Sequence, residues 1–113
     1  MEDILRYVAA ERQCQWRGHE FHLRIQEHKL FTLLHRHHGH WISAIRIEPI
    51  LWPAQSPDTW RNIITQIATD LASHLIGTSC HIERHKDSKV YGLGYRLVGK
   101  VDWIEDEINP AQH

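Results

Sequence analysis

The sequence contains few of the residues that mark disulfide-rich, zinc-binding or membrane proteins. Only two cysteines occur among 113 residues, and Cys14 and Cys80 form neither a C-x-x-C pair nor a spaced zinc pattern. No apolar run approaches the roughly 18 residues of a membrane-spanning helix. The acidic start, residues 1–4, lacks the long apolar stretch of a secretory signal. These absences predict a cytoplasmic protein whose thiols are two small, buried residues in a reducing compartment.

Catalytic and cofactor-binding motifs are missing as well. The sequence contains no glycine-rich phosphate loop, nucleophile elbow or paired-carboxylate motif, so we expect neither an enzyme nor a bound cofactor. Apolar residues make up 42% and charged residues 24%, which is typical of a globular domain rather than a disordered chain. The length suits one domain, residues 1–104, followed by a polar tail at 105–113.

The charge balance is close to neutral. A net charge of −1 gives no whole-chain field that would attract nucleic acid, so any basic surface must be local. Eleven histidines make the local charge sensitive to pH, because histidine titrates near pH ~6.5. Four of them lie within residues 35–40, and imidazole is a ligand for zinc, copper and nickel. Because no closed set of four ligands is apparent, we interpret this cluster as a solvated helix end rather than a metal site.

The N-terminal part of the chain has the pattern of short strands. Residues 4–8 fit a strand, but residues 3–12 also fit a short helix with one apolar face, and periodicity does not decide between them. Residues 13–16 form a second run, and the Arg-Gly pair at 17–18 is typical of a turn. Apolar and polar residues alternate over 21–25, which predicts a half-buried third strand.

The middle of the chain fits two helices. Residues 27–38 carry leucines at helical spacing and are followed by Gly39, a natural C-terminal stop. The alternative is a strand that turns there and returns through residues 41–47 as part of a β-meander. Ser43 is a suitable cap for a second, short helix over 43–51.

The clearest predicted element is a helix over residues 57–76. Ser56 is a good N-cap, Pro57 suits the first helical position, and Gly77 closes the helix. Apolar residues recur within it at spacings of three and four, which predicts one core-facing side. The opposite face is polar, with short side chains in most positions: Arg61, Asn62, Thr65, Gln66, Thr69, Asp70 and Ser73.

A β-hairpin is predicted after this helix. Its arms span residues 80–85 and 90–98, and a turn at 86–89 joins them. Gly92 and Gly94 in the second arm are typical of a close backbone approach or a bend. The lysines of the turn suit either a DNA-facing loop or a solvated one.

In this order, the elements carry residues that resemble a known family. The matching residues are Glu27, Leu30, Leu33, Leu34, Gly39, Ile42 and Ser43, then Leu51-Trp52, then Gly92-Leu93-Gly94-Tyr95-Arg96-Leu97. Over about residues 3–100 the sequence resembles the DNA-binding domain of OmpR/PhoB-type regulators, and the Gly-x-Gly-Tyr-Arg-Leu stretch is the most specific part. No receiver domain accompanies it, so we do not expect phosphorylation-driven dimerisation within this chain.

The resemblance implies an α+β fold: a winged helix with an N-terminal antiparallel sheet, three helices and a C-terminal β-hairpin wing. It favours helices at about 27–38 and 43–51 over the alternatives. The helix 57–76 would enter the major groove of double-stranded DNA, and the turn 86–89 would approach the backbone or minor groove. The implied DNA-binding residues are Ser43, Arg61, Asn62, Thr65, Gln66, Thr69, Ser73, His74, Arg84, Lys86, Lys89 and Tyr91.

Several positions depart from the family pattern. Ala72 and His74 stand where basic residues are usual near the end of the recognition helix, and Tyr91 stands where an arginine is usual. Asp70 would repel phosphate unless it faces away from DNA or accepts from a cytosine amino group. An alternative function is therefore a protein-interaction module, either an inhibitor or an assembly factor, that docks on a partner such as the transcription machinery or another regulator. A homodimer is compatible with both functions.

Overall fold

The computed structural model of the chain describes residues 3–87 and 92–105. These residues form β1 (Leu5–Val8), β2 (Gln13–Trp16), β3 (His19–His22), α1 (Ile25–Arg36), β4 (Ile42–Ser43), α2 (Ala44–Leu51), α3 (Trp60–Leu75), β5 (Cys80–Asp87), β6 (Gly92–Gly99) and β7 (Val101–Ile104). Among the described helices, none combines the length and the apolar character needed to cross a membrane.

The first sheet has the order β3–β2–β1–β7 and joins the two ends of the described chain. Leu5–Val8 form a strand and Ala9–Glu11 form one short turn of 3-10 helix, so a single helix over residues 3–12 is wrong. The predicted turn is present, with positive φ at Arg17 (48°) and Gly18 (82°). The antiparallel arrangement is confirmed for β1–β3, but β7 adds a fourth strand that runs parallel to β1. Sequence patterns did not indicate β7, because four residues are too few for a clear period.

The helices that the resemblance favoured are both present. α1 begins and ends two residues earlier than predicted, so Ile25 belongs to its first turn and not to a strand. This start is capped, because the Glu27 carboxylate accepts a hydrogen bond from the Arg24 backbone N–H at 2.7 Å. In α2 the Ser43 hydroxyl oxygen accepts from the Arg46 backbone N–H at 3.3 Å, which confirms Ser43 as its N-cap.

The long helix α3 begins later than predicted. Ser56 and Pro57 precede it, and Thr59 occupies the N-cap position without a side-chain cap. The Pro57 carbonyl accepts a hydrogen bond from the Trp60 N–H at 3.1 Å, so the predicted first turn of helix is instead a separate turn that leads into α3. Gly77 follows the helix end with a φ of 81°, as a C-terminal stop requires.

The second sheet has the order β4–β6–β5, and β5 with β6 forms the predicted hairpin. The prediction of a turn at 86–89 is wrong at its start, because Lys86 and Asp87 belong to β5. The connecting residues 88–91 lie outside the described residues.

The close backbone approach in β6 is at Gly99 and not at the predicted Gly94. A Cβ atom on Gly94 would meet no other atom nearer than 3.6 Å, which is ordinary contact. Gly99 has a φ of 100°, and a Cβ there would lie 2.3 Å from the Ser79 carbonyl oxygen. Glycine is therefore required at the base of the hairpin rather than in its middle.

The hydrophobic core lies between the three helices and the inner faces of the two sheets. Cys14 and Cys80 are both buried in it as free thiols, as predicted. On β6, Tyr95 and Leu97 point inward and leave the alternate residues on the outer face. The described chain is an α+β winged helix in which one side of α3 stays exposed beside the hairpin.

Candidate nucleic-acid interface

One side of α3 is a continuous row of exposed polar residues. Asn62, Gln66, Thr69 and Ser73 follow one another at spacings of four, three and four residues, which places them on one face of the helix. All four are exposed, because the apolar residues of α3 face the core. We call these four residues the polar stripe, and each of them is a predicted DNA contact.

Most hydrogen-bond donors of the polar stripe are used inside the helix. The hydroxyls of Thr69 and Ser73 donate to the backbone carbonyls four residues earlier at 2.8 and 3.0 Å, and the flanking Thr65 does the same at 3.1 Å. The Gln66 Nε2 donates to Asp70 Oδ1 at 2.9 Å. The middle and the C-terminal end of the polar stripe therefore present mainly oxygen acceptors to solvent.

The first turn of α3 carries a cation beside the polar stripe. The Arg61 guanidinium lies 5.1 Å from the centroid of the Trp60 ring, which orients the side chain by a cation–π contact. Arg61 is exposed and forms no ion pair within the described part of the chain. Its N–H groups thus stay available for the bidentate contacts that arginine makes with guanine or phosphate.

His74 lies on the side of α3 that faces α1 and β3. Its Nε2 is 3.5 Å from Glu27 Oε2, and its ring stacks on Phe21 with centroids 5.5 Å apart. Glu27 is only 3% exposed and is the buried charged residue of this seam. His74 therefore links α3 to the rest of the fold, and a DNA contact by its ring stays a prediction.

The hairpin lies beside the first half of α3. Burial raises the pKa of the Tyr95 hydroxyl, and the neighbouring Thr65 hydroxyl and Arg84 oppose that shift. The Tyr95 hydroxyl approaches Thr65 without making a hydrogen bond of normal geometry to any described residue. Arg84 is exposed and lies opposite Tyr95 in the β5–β6 register. Thr65 and Arg84 thus belong to one surface that joins α3 to the hairpin.

A cluster that sequence reasoning missed covers the outer face of the hairpin. The Arg96 guanidinium forms an ion pair with Glu83 and lies 4.5 Å from the centroid of the Trp41 ring. The hydrogen bond from Arg96 holds the pKa of Glu83 below its usual value. Trp41 is 42% exposed and also contacts the His85 ring, at 5.4 Å between centroids. The charge of Arg96 is therefore partly neutralised, whereas Arg84 forms no ion pair among residues 3–87 and 92–105.

The remaining predicted contacts are a helix cap and the hairpin tip. Ser43 is half-buried, and its oxygen is occupied by the Arg46 N–H, while its hydroxyl proton makes no hydrogen bond within residues 3–87 and 92–105. Lys86 lies in β5, and Lys89 and Tyr91 lie outside the described residues. DNA contacts by these residues stay predictions.

Two members of the histidine cluster at 35–40 make separate contacts. The His35 ring stacks on Trp103 with centroids 4.2 Å apart, and the His38 Nε2 shares a hydrogen bond of 2.6 Å with the Gly99 carbonyl. α1 ends before His38, so His35 and His38 do not lie on one helix face. In the part of the chain that the structure describes, no three histidine, cysteine, aspartate or glutamate side chains are placed to hold a metal ion.

Comparison with known proteins gives a structural match but no sequence match. No protein-family model matches the sequence, and no curated protein sequence matches it significantly. The structure is similar to the DNA-binding domain of CadC from E. coli, with a TM-score of 0.63 and 18% sequence identity. The match covers 87% of this chain and 94% of that chain. This similarity confirms the fold expected from the sequence.

Proposed function

We propose that this chain binds double-stranded DNA, with α3 in the major groove and the β5–β6 hairpin against the adjacent backbone. The supporting observation is that the polar stripe, Arg61 and Arg84 share one surface of a fold similar to a solved DNA-binding domain. The major groove of B-DNA admits a helix and gives each base pair a distinct pattern of donors and acceptors. A regulator of transcription or an accessory factor is the role that suits such a domain.

The charges on this surface predict modest affinity. Arg61 and Arg84 form no ion pair among the described residues, whereas Arg96 is paired with Glu83. Asp70 flanks the polar stripe and adds a negative charge to the same side of α3. Because each neutralised phosphate releases counterions, few free cations imply weak non-specific binding with a shallow salt dependence.

Removal of Arg61 or Arg84 tests the proposal. Arg61→Ala and Arg84→Ala should each weaken duplex binding by about 1–3 kcal/mol without changing the fold. The measurement is fluorescence anisotropy with a short duplex at low salt, with circular dichroism to confirm folding.

The matched control is Arg36→Ala on α1. Arg36 is an exposed helical arginine nine residues from Glu27, so it lies on the side of α1 that faces away from α3. It should bind as the wild-type chain does. An equal loss in all three variants, or a wild-type chain that binds no duplex, would overturn the proposed function.

A protein-interaction role is the second candidate, and exposed apolar residues of α2 favour it. Ile45 is 59% exposed and Ile50 45% exposed. Ile50 also lines a groove with Leu33, Lys29 and Arg36 of α1. In this groove the exposed Ile50 lies beside the half-buried Leu33, and adjacent apolar side chains at a surface are typical of contact sites. A folded wild-type chain without affinity for duplex at low salt would favour this α2 surface over α3.

A further inference from the structure

The two ends of the polar stripe offer opposite hydrogen-bonding groups. At the N-terminal end, the Asn62 amide and the neighbouring Arg61 guanidinium make no side-chain hydrogen bond within the described residues, so both can donate. At the C-terminal end, Thr69 and Ser73 use their hydroxyl protons on carbonyls of α3 and present lone pairs. No lysine or arginine occurs between residues 62 and 75 to add donors there.

Asp70 sets the polarity of the middle of the polar stripe. It accepts one Nε2 proton of Gln66 at 2.9 Å. The amide oxygen of Gln66 would be repelled by the carboxylate, so this bond orients the amide with its Oε1 away from Asp70. Asp70 is half-buried at the edge of the polar stripe, and we treat it as a positioning residue for Gln66.

The difference between the two ends of the polar stripe bears on base recognition, because the bases differ in the groups that they present in the major groove. Only cytosine and adenine present hydrogen-bond donors there, through the N4 and N6 amino groups respectively. Guanine presents two acceptors, and thymine presents one acceptor and a methyl group. A row of oxygen acceptors therefore favours amino-bearing bases, whereas an arginine favours guanine.

Building on the proposed DNA binding, we infer that α3 selects its site by this change of polarity. Gln66, Thr69 and Ser73 accept hydrogen bonds from amino groups of cytosine or adenine. Arg61 and Asn62 donate to purine acceptors at the other end of the site. Arg61 and Ser73 are separated by about 18 Å along the helix axis, which corresponds to about five base-pair steps.

Base analogues test this inference directly. A randomised duplex pool selected on the wild-type chain supplies the preferred site. Single cytosines are then replaced by 2-pyrimidinone and single adenines by purine, which remove only the amino group. At one cluster of positions, the replacement should weaken wild-type binding about 5- to 20-fold. Elsewhere in the site it should change binding less than about 2-fold.

Two sets of variants connect this discrimination to the polar stripe. In the double variant Thr69→Val, Ser73→Ala, the acceptor of Gln66 remains and the other two are removed. At the base positions that Thr69 and Ser73 contact, this variant should bind the normal and amino-free duplexes within about 2-fold of each other. Thr32→Val is the matched control, because the Thr32 hydroxyl makes the same type of bond, to the His28 carbonyl at 2.8 Å, on α1. This control should keep the full discrimination.

The outcomes separate the inference from the proposed function. If the wild-type chain prefers its selected site but binds amino-free duplexes equally well, the inference is wrong and the proposed function stands. If the wild-type chain binds no duplex, both are wrong. If the double variant fails to fold, the analogue series on the wild-type chain still decides the question.

Discussion

The seam between α1 and α3 and the outer face of the hairpin each hold one glutamate, in opposite surroundings. Glu27 is 3% exposed, accepts the Arg24 backbone N–H at 2.7 Å and lies 3.5 Å from His74. Glu83 lies at the surface and forms an ion pair with Arg96, which is itself partly exposed. Removal of a buried carboxylate leaves its hydrogen-bond partners without an acceptor, whereas water can take over the partners of a carboxylate at the surface. The seam therefore fixes the position of α3, and the charges of the hairpin can vary without a change of fold.

The largest effect is expected for Glu27→Ala. This substitution removes the cap of α1 and the partner of His74, and it leaves the Arg24 N–H without its acceptor. It should lower the free energy of unfolding by about 2–4 kcal/mol. Urea denaturation followed by circular dichroism measures the change.

Two further variants make this comparison sharper. Glu27→Gln keeps an oxygen for the Arg24 N–H and should lose less stability than Glu27→Ala. Glu83→Ala should leave the unfolding midpoint unchanged within error. If Glu27→Ala and Glu83→Ala had equal effects, the distinction between the seam and the hairpin surface would be wrong.

A smaller effect is expected for a substitution at Gly99, at the base of the hairpin. Gly99→Ala places a Cβ 2.3 Å from the Ser79 carbonyl oxygen at a φ of 100°. It should cost about 2 kcal/mol of stability, because the backbone must shift. Gly94→Ala is the matched change in the same strand and should stay within about 1 kcal/mol of the wild type. Thermal unfolding of both variants tests this, and a larger loss for Gly94→Ala would contradict it.

The smallest effect concerns histidines on α1. Burial, and then Arg12, lower the pKa of His28 below its ordinary value of 6.5, and Glu105 opposes this. Burial, and then His38, lower the pKa of His35 in the same way. The folded chain therefore binds fewer protons than the unfolded chain below about pH 6.5. The contribution of the neutral His28 and His35 to stability is complete above about pH 6.5. It is lost as the pH falls toward the lowered pKa values of these two histidines.

The unfolding temperature should thus fall by a few degrees as the pH is lowered from about 7.5 to about 5.5. His28→Gln keeps a polar partner for the Tyr7 hydroxyl, which shares a 2.7 Å hydrogen bond with His28 Nδ1. This variant should show a shallower dependence. A wild-type unfolding temperature that rises over the same interval would contradict the expected sign.

Local chemistry predicted α3 and the cap of α2, but it left a β-meander open for residues 27–47 until the family resemblance favoured helices there. It contained no information on long-range strand pairing. The cap at Ser43 and the apolar spacing of α3 depend on residues within a few positions of each other, and both are present. β7 pairs with β1 across almost the whole chain, and its four residues carry no periodic signal. The start of α3 was placed too early because Ser56 and Pro57 satisfy the same preferences in the turn that precedes the helix.

The candidate site shows the same division. The exposed face of α3 follows from helical spacing, so sequence alone could identify the polar stripe. The contact of His74 with Glu27 joins residues 47 positions apart, and the ion pair of Arg96 with Glu83 depends on strand register. These contacts determine which charged side chains of the candidate site are paired, and local sequence patterns do not predict such long-range pairs.

Mapping the DNA-bound surface by nuclear magnetic resonance tests the central claim most directly. Backbone amide shifts of the isotope-labelled chain would be followed as a short duplex from the selected site is added. We expect the largest changes between Arg61 and Ser73 of α3 and along β5–β6, with little change in the groove between α1 and α2. Changes confined to α2 around Ile45 and Ile50, or no changes at saturating duplex, would contradict DNA binding through α3.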